Sequence, residues 1–516
     1  MKVTSSSPKS KPGPNQETKA ATKVQDDADR SCSRWPPLLY GCVSVLVAVS
    51  AVLAAQLYRL QEQQGGLGAA DRPPRVWVAG NKVDSGYLKH VLNVFERLGY
   101  ERGSEEDFDV LWSHPYPFRI YNDTLLARKS HQKVNHFPGS GFITSKVELS
   151  TSGIKHIPIA FKMPKEKEQL LDYAKKNPQT LFVQKSNSHR DIQIKSVDAA
   201  DLDANSTFFQ EYIGNPLLVD GHKFDIGIYT VMTSLDPLRV YIYWGDVLLR
   251  FCAEEYHPFD ASVINKYVVG DDYLPIWKVP SLSRYHNELK LGHRESLNAF
   301  LRSQGSRPEK IWSQIEESIR SVYLVKEPSM IRASRRFGST RQFFEMVRFD
   351  FVVDDELNVY LMEANMSPNL SSAHFRQNVP LYEQVVYSLL SLVGLAPRIR
   401  PGLARQARSP GPVSDMLATD KELAVFGMEC GSPTCIDSCG GVCRVCLPCL
   451  TVPQKAFLRQ AVDEHLNRHL TRRILPPQTT VEEARTGLEG LQNLSSTNQL
   501  MHLWFRGKCL LERSWC

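Results

Sequence analysis

No internal repeat runs through this 516-residue chain, and no charge of one sign dominates it. Lysine and arginine number 62 against 56 aspartates and glutamates, a formal net charge of +6 at pH 7. So small a surplus over such a length gives no reason to expect nucleic acid as a partner. Charged residues at 23% and hydrophobic residues at 42% exclude wholesale disorder and fibrous classes, and supply apolar surface for a core. The length suits two or three domains. Cysteine is scarce, 11 in all, yet Cys430, Cys435, Cys439, Cys443, Cys446 and Cys449 crowd one short stretch.

Charge is locally absent too. Residues 1–34 read as a disordered tail, poor in apolar side chains, but Trp35 to Tyr58 contains no charged side chain at all. At 1.5 Å per residue such a run reaches about 36 Å, enough to cross a ~30 Å hydrocarbon layer. The expectation is a transmembrane helix at 35–58. Lys23, Arg30 and Arg34 precede it and only Arg59 follows closely, so the tail is expected inside. The large domain is then lumenal or extracellular, a single-pass type II arrangement. Acceptor sequons at Asn122, Asn205, Asn365, Asn369 and Asn493 agree with that side of the membrane.

After a linker at 59–74, Arg75–Gly80 reads as a strand, Tyr87–Leu98 as a helix and Val110–Trp112 as a strand, a small α/β unit. Leu181–Val183, Thr207–Phe209 and Phe224–Thr233 read as further strands. Glu166–Lys175, Pro308–Leu324 and Val379–Val393 read as helices, the last closed by Gly394. The globular domain is set at 75–395. A linker follows at 396–425, then a Cys-rich module at 426–450 and a C-terminal tail at 451–516 without a fold signal, apart from a basic helix at Val462–Arg473. Six cysteines allow fifteen disulfide pairings. Alternatively, Cys446-x2-Cys449 followed by His465-x3-His469 approaches a zinc-finger spacing.

The sharpest chemical signal is Val347 to Asn365, two apolar runs around a polar turn at Asp355–Asn358, a β-hairpin pattern. If Asp354 pairs with Val359, Asp350 falls opposite Glu363, and Asn365 shares the face of Glu363. Like charges directly opposite are destabilising. A Mg²⁺ ion would remove that repulsion, since hard cations take carboxylate and carbonyl oxygens. The bland alternative is a solvated acidic face. Lys185 at a strand end, Gln210 and Ile213 before a turn, Lys223 and Asp225 entering a strand, and Arg250 ending another add the parts of a nucleotide and phosphate site.

Three stretches carry a resemblance: Asn135-His-Phe-Pro-Gly139, Gln210 to Asp225, and Phe349-Asp-Phe with Glu363-Ala-Asn-Met-Ser-Pro-Asn-Leu370. They resemble the tubulin–tyrosine ligase-like family over about residues 75–395. The resemblance implies an α/β, ATP-grasp fold behind a small α/β domain, with ATP and Mg²⁺ as cofactors. Asp350, Glu363 and Asn365 would hold Mg²⁺; Lys146 and Lys185 would contact the nucleotide. Gln210 and Ile213 would frame adenine through backbone groups, with Lys223 and Asp225 beside the ribose and base, and Arg250 near the transferred phosphate. The implied reaction phosphorylates a protein glutamate or C-terminal carboxylate and joins it to the amine of a free amino acid, glutamate by default. Tubulin would be the family acceptor, although a lumenal domain could not meet it.

The chain departs from the pattern three times. The phosphate loop after Lys185 reads Ser186-Asn-Ser-His-Arg-Asp-Ile192, without the glycines that let backbone N–H groups curl round phosphate. Gly227 stands where the pattern has arginine, and Val263-Ile-Asn-Lys266 replaces a His-hydrophobic-Thr-Asn motif. An ATP-dependent ligase and a membrane-anchored, non-catalytic binding module therefore both stay open at the level of sequence.

Overall fold

The computed structural model describes residues 72–396 and 420–516, apart from 82, 85, 187–192, 196, 198–201, 204 and 206. The tail, the 35–58 segment, most of both linkers and the glycine-free loop lie outside the described residues. Among the described residues no helix is long and apolar enough to cross a membrane.

Two long strands organise the protein. His222–Leu235 and Phe343–Val353 pair antiparallel, from Ile226 opposite Phe351 to Met232 opposite Glu345. Almost every residue of both is buried. Their Ile, Val, Thr, Phe and Tyr content suits a sheet covered on both faces. Alternation sorts the side chains. Ile226, Ile228, Met232, Val347 and Phe349 share one core with Ile311, Ile315 and Ile319 of the helix Glu309–Ser334. Tyr229, Val231, Phe344 and Met346 share the other with Val91 and Phe95 of Lys89–Arg97 and Val385 and Leu389 of Val379–Leu392. Helix, sheet and helix make three layers, the α/β arrangement expected.

Lys133–Asn135, Val110–Ser113 and Arg75–Ala79 continue the same sheet as parallel strands, so the small α/β unit is joined edge to edge with the centre. The Asn135–Gly139 motif bolts that joint. His136 bonds the Glu345 carboxylate at 2.6 Å and the Ser113 carbonyl at 2.7 Å, and the Phe137 N–H donates to Glu345. A separate four-stranded sheet runs Ala160–Lys162, Thr207–Glu211, Phe182–Ser186, Gln193–Lys195.

The expected helix at Pro308–Leu324 extends to Ser334 straight through Pro328. Met330 and Ile331 still pack on the core there, which offsets the backbone bond that proline removes.

The largest correction concerns 451–516, which is no tail. A capping box at Thr451 and Gln454 opens the helix Val452–Asn467. Thr471–Leu475 then pairs with Leu238–Tyr243 as a strand of the main sheet, and Ser496–Leu511 is a largely buried helix. The basic helix expected at Val462–Arg473 therefore ends early. Its last residues are strand because their side chains find partners in the interior: Arg473 lies 3.6 Å over the Phe505 ring and donates to the carbonyls of Pro476 and Trp515. Arg239 on the central sheet forks onto Glu464 at 2.8 and 2.9 Å, and Tyr241 donates to the same carboxylate. Both members of that ion pair are buried.

The cysteine cluster forms three disulfides, Cys430–Cys446, Cys435–Cys443 and Cys439–Cys449, and a fourth joins Cys509 to Cys516. The zinc alternative fails on this geometry. Cys446 and Cys449 are consumed, His465 stacks on Trp515, and His469 contacts Ser388. Val445 and Leu450 join Leu458, Leu503 and Trp504 in a shared core, so the Cys-rich segment packs on the C-terminal helices.

Candidate active site

Along one face of the two central strands, apolar side chains give way to charge. Val231 and Tyr229 are followed, two residues at a time, by Gly227 and Asp225; Phe344 and Met346 are followed by Arg348 and Asp350. That change places a polar patch at one end of an otherwise buried sheet.

The hairpin strand Val359–Asn365 completes it. Asp350 does lie opposite Glu363, but the register expected at the turn was one residue out: Val353, not Asp354, pairs with Val359. Asp354 instead closes the turn, its carboxylate accepting from the backbone N–H of Glu356 and Asn358 and from the Asn358 amide and Tyr360 hydroxyl. A bulge between Asp350 and Phe351 then absorbs Met362 and restores the match. Without that extra residue Asp350 would face Met362.

Asn365 bridges the two carboxylates, its amide nitrogen 3.1 Å from Asp350 Oδ2 and 3.1 Å from Glu363 Oε1. Lys146 Nζ lies 3.2 Å from Glu363 Oε2. Arg250 forks onto Asp225 at 2.9 and 2.7 Å and approaches Asp350 at 3.4 Å. Burial would raise the Glu363 carboxyl, but Lys146, Asn365 and Arg348 hold it down at about 2. Burial alone would lower Arg250; Asp225 beside it more than reverses this. Glu363 and Arg250 are therefore held in their charged forms, whereas burial lifts the Asp225 carboxyl to about 6 against the pull of Arg250.

From the second sheet, Lys185 Nζ donates to Gln210 Oε1 at 2.8 Å. Gln210 itself sits in the ladder between Ala160 and Val183 and is fully buried, its side-chain oxygen turned to Lys185. Ile213 is buried just beyond that strand. Lys223 lies 4.8 Å over the Tyr212 ring. Burial pulls Lys185 and Lys223 each down to about 8. Lys185 of the second sheet feels the charges of Glu363 and Lys223 on the main sheet and of Lys146 on the short helix Lys146–Ser150, so these elements meet here. Arg348 was missed; an arginine between Val347 and Phe349 in a buried strand, in step with Asp350, was the available signal.

Among the described residues no three His, Cys, Asp or Glu side chains form a metal-holding group. The donors here are two carboxylates and an amide, whose oxygen faces them after a half-turn about the terminal torsion. That hard oxygen set fits Mg²⁺.

A sequence model described as the Tubulin-tyrosine ligase family matches residues 124–400, which contain every one of these side chains. The chain belongs to the tubulin-tyrosine ligase family. Its likeness to a probable tubulin polyglutamylase of Caenorhabditis elegans is 42% identity over 86% of this chain and 87% of that one. The similarity therefore continues well beyond the family segment. A tubulin polyglutamylase of Mus musculus and a tubulin monoglutamylase of Homo sapiens are each 28% identical, over 57% and 56% of this chain. Those matches cover only 34% and 25% of the two longer relatives. This member of the tubulin-tyrosine ligase family has its paired acids, its site lysines and Gly227 inside the matched segment.

Proposed function

We propose that the chain is an ATP-dependent ligase that joins the amine of free glutamate to a glutamate carboxylate of an acceptor protein. The observation that carries this reading is the convergence of Asp350, Glu363 and Asn365 with Lys146, Lys185 and Arg250 inside the family segment. A carboxylate is a poor electrophile until one of its oxygens becomes a phosphate leaving group. In the first step an acceptor carboxylate oxygen attacks the γ-phosphorus of ATP, and ADP leaves. In the second the glutamate amine attacks the acyl carbon, phosphate leaves, and the amine loses a proton.

Such transfers depend on positioning and charge neutralisation. Lys185 and Lys146 supply ammonium groups for the phosphates, and Arg250, anchored by Asp225, supplies a fixed guanidinium beside Asp350. Mg²⁺ held by Asp350, Glu363 and Asn365 would neutralise polyphosphate charge. Gln210 holds Lys185 in place, and Lys223 and Tyr212 offer a cation and an aromatic edge for ribose and base. Tubulin is the acceptor in the relatives' names, and a glutamate-rich protein segment is the acceptor class proposed here.

The membrane reading of 35–58 belongs to the same proposal. Four disulfides favour an oxidising compartment, which supports an acceptor on the lumenal or exterior side. Protease protection of the full chain in sealed microsomes tests this, and digestion of the domain without detergent would sink it.

The ligase reading is tested by incorporation of labelled glutamate into protein by the purified full chain with Mg-ATP. ATP-dependent labelling is the expected result; a folded protein that neither binds nor consumes ATP refutes it. The lysines add a pH signature. Lys185 and Lys223 lose their protons near pH 8, so affinity for ATP should fall as pH rises from 7 to 9. An ordinary lysine would hold its charge to about 10.4. Lys185→Arg should move that fall upward, because a guanidinium stays protonated.

A further inference from the structure

Gly227 and Arg348 are neighbours on paired strands, and neither residue type is ordinary there. Gly227 lies between Leu248 and Asp350 in a strand otherwise filled with bulky side chains. A glycine inside a buried strand gives up packing and marks a place where another group comes close. That group is identifiable. A Cβ at 227 would stand 3.2 Å from Arg348 Cδ, 3.2 Å from Asp350 Oδ1 and 3.3 Å from Leu248 Cβ.

Arg348 reaches this volume from the adjacent strand. It sits two residues before Asp350 on the same face, opposite Tyr229, and only 6% of it is exposed. Its guanidinium forks onto Asp350, Nε to Oδ1 at 2.7 Å and Nη2 to Oδ2 at 2.8 Å. A planar two-point pair fixes both the position and the plane of a carboxylate. Without it, a 2%-exposed Asp350 would keep, among the described residues, Asn365 and the more distant Arg250.

We propose that Arg348 is a positioning residue that supplies, from the neighbouring strand, the guanidinium absent at position 227, and that Gly227 is the space this side chain requires. The site then keeps its cationic complement through an exchange of places rather than losing a member. A side chain at 227 would press on both the Arg348 stem and the Asp350 oxygen, so two guanidinium groups could share the volume only if one of these shifted. The role in catalysis rests on the ligase reading; the packing relation does not.

The test is a cycle of four full-length proteins: the natural chain, Arg348→Gly, Gly227→Arg, and both together, with Arg348→Lys as a fifth. Thermal midpoint, Mg-ATP affinity, kcat and KM are measured for each. Arg348→Gly and Gly227→Arg should each lower kcat about 100-fold, the order seen when one fixed charge donor is removed, with KM for ATP changing less than kcat. The double variant should recover to within about tenfold of the natural chain and regain its thermal midpoint, while Arg348→Lys, which keeps charge but not the fork, should recover only part. A double variant no better than the worse single variant in both kcat and midpoint overturns the proposal. If the natural chain neither binds nor turns over ATP, the ligase reading falls, and the midpoints alone decide. Recovery in the double variant supports the exchange, and independent additive losses overturn it.

Discussion

Glu464→Ala is expected to cost about 3–5 kcal/mol of stability, the range for removing one partner of a buried ion pair. Arg239 is fully buried, and Glu464 is its only carboxylate partner among the described residues. The substitution strands a guanidinium inside the sheet and also frees the Tyr241 hydroxyl. Replacing both charges with apolar residues of similar size, Arg239→Met with Glu464→Leu, should be milder than Glu464→Ala alone, because no charge is left behind. Denaturant unfolding of the full chain reads both. A Glu464→Ala chain as stable as the natural one would mean that the helix Val452–Asn467 does not hold the sheet as described.

Loss of a single acid at the site should instead abolish turnover with little effect on folding, provided the acid is chosen at the rim. Glu363 retains 31% side-chain exposure, while Asp350 keeps 3%. Glu363→Gln should lower glutamate incorporation and ATP consumption by about 10²–10³-fold, the scale of losing one preorganised electrostatic group. Its unfolding midpoint should stay close to that of the natural chain. Asp350→Asn should lose activity comparably and stability as well, since Arg348 and Arg250 both lean on that carboxylate. Glu363→Gln with full activity would show that the paired acids do not serve the reaction.

Sequence carried the site further than it carried the fold. Asp350 opposite Glu363 was legible because strand alternation and a polar turn fix a register to within one residue. The missing residue was invisible: Asp354 turns its carboxylate inward to the loop, and Met362 bulges to compensate, neither of which leaves a periodic trace. Lys185, Lys223, Asp225 and Arg250 stood out at strand ends and entries, whereas Lys146 opens a short helix and came only from the resemblance. Arg348 was overlooked because a lone arginine in an apolar run also fits an exposed strand.

The strand Thr471–Leu475 hid for a related reason. Thr-Arg-Arg-Ile-Leu reads as a helix end on composition, and its arginines are burdens until Phe505 and the carbonyls of Pro476 and Trp515 are in place. The Thr451 and Gln454 capping box was a local signal that went unread, and it shows where the helix Val452–Asn467 begins.

That late strand also sets a timetable for biosynthesis. Leu238–Tyr243 waits for a partner that leaves the ribosome roughly 230 residues later, about 10–50 s at ordinary elongation rates of ~5–20 residues per second. During that interval a nascent hydrophobic edge is open to other chains, the exposure that favours strand-to-strand association. Chaperone cover of the growing polypeptide over that window would decide the yield of native protein, and a ribosome stalled before residue 471 would release a product without its closing edge.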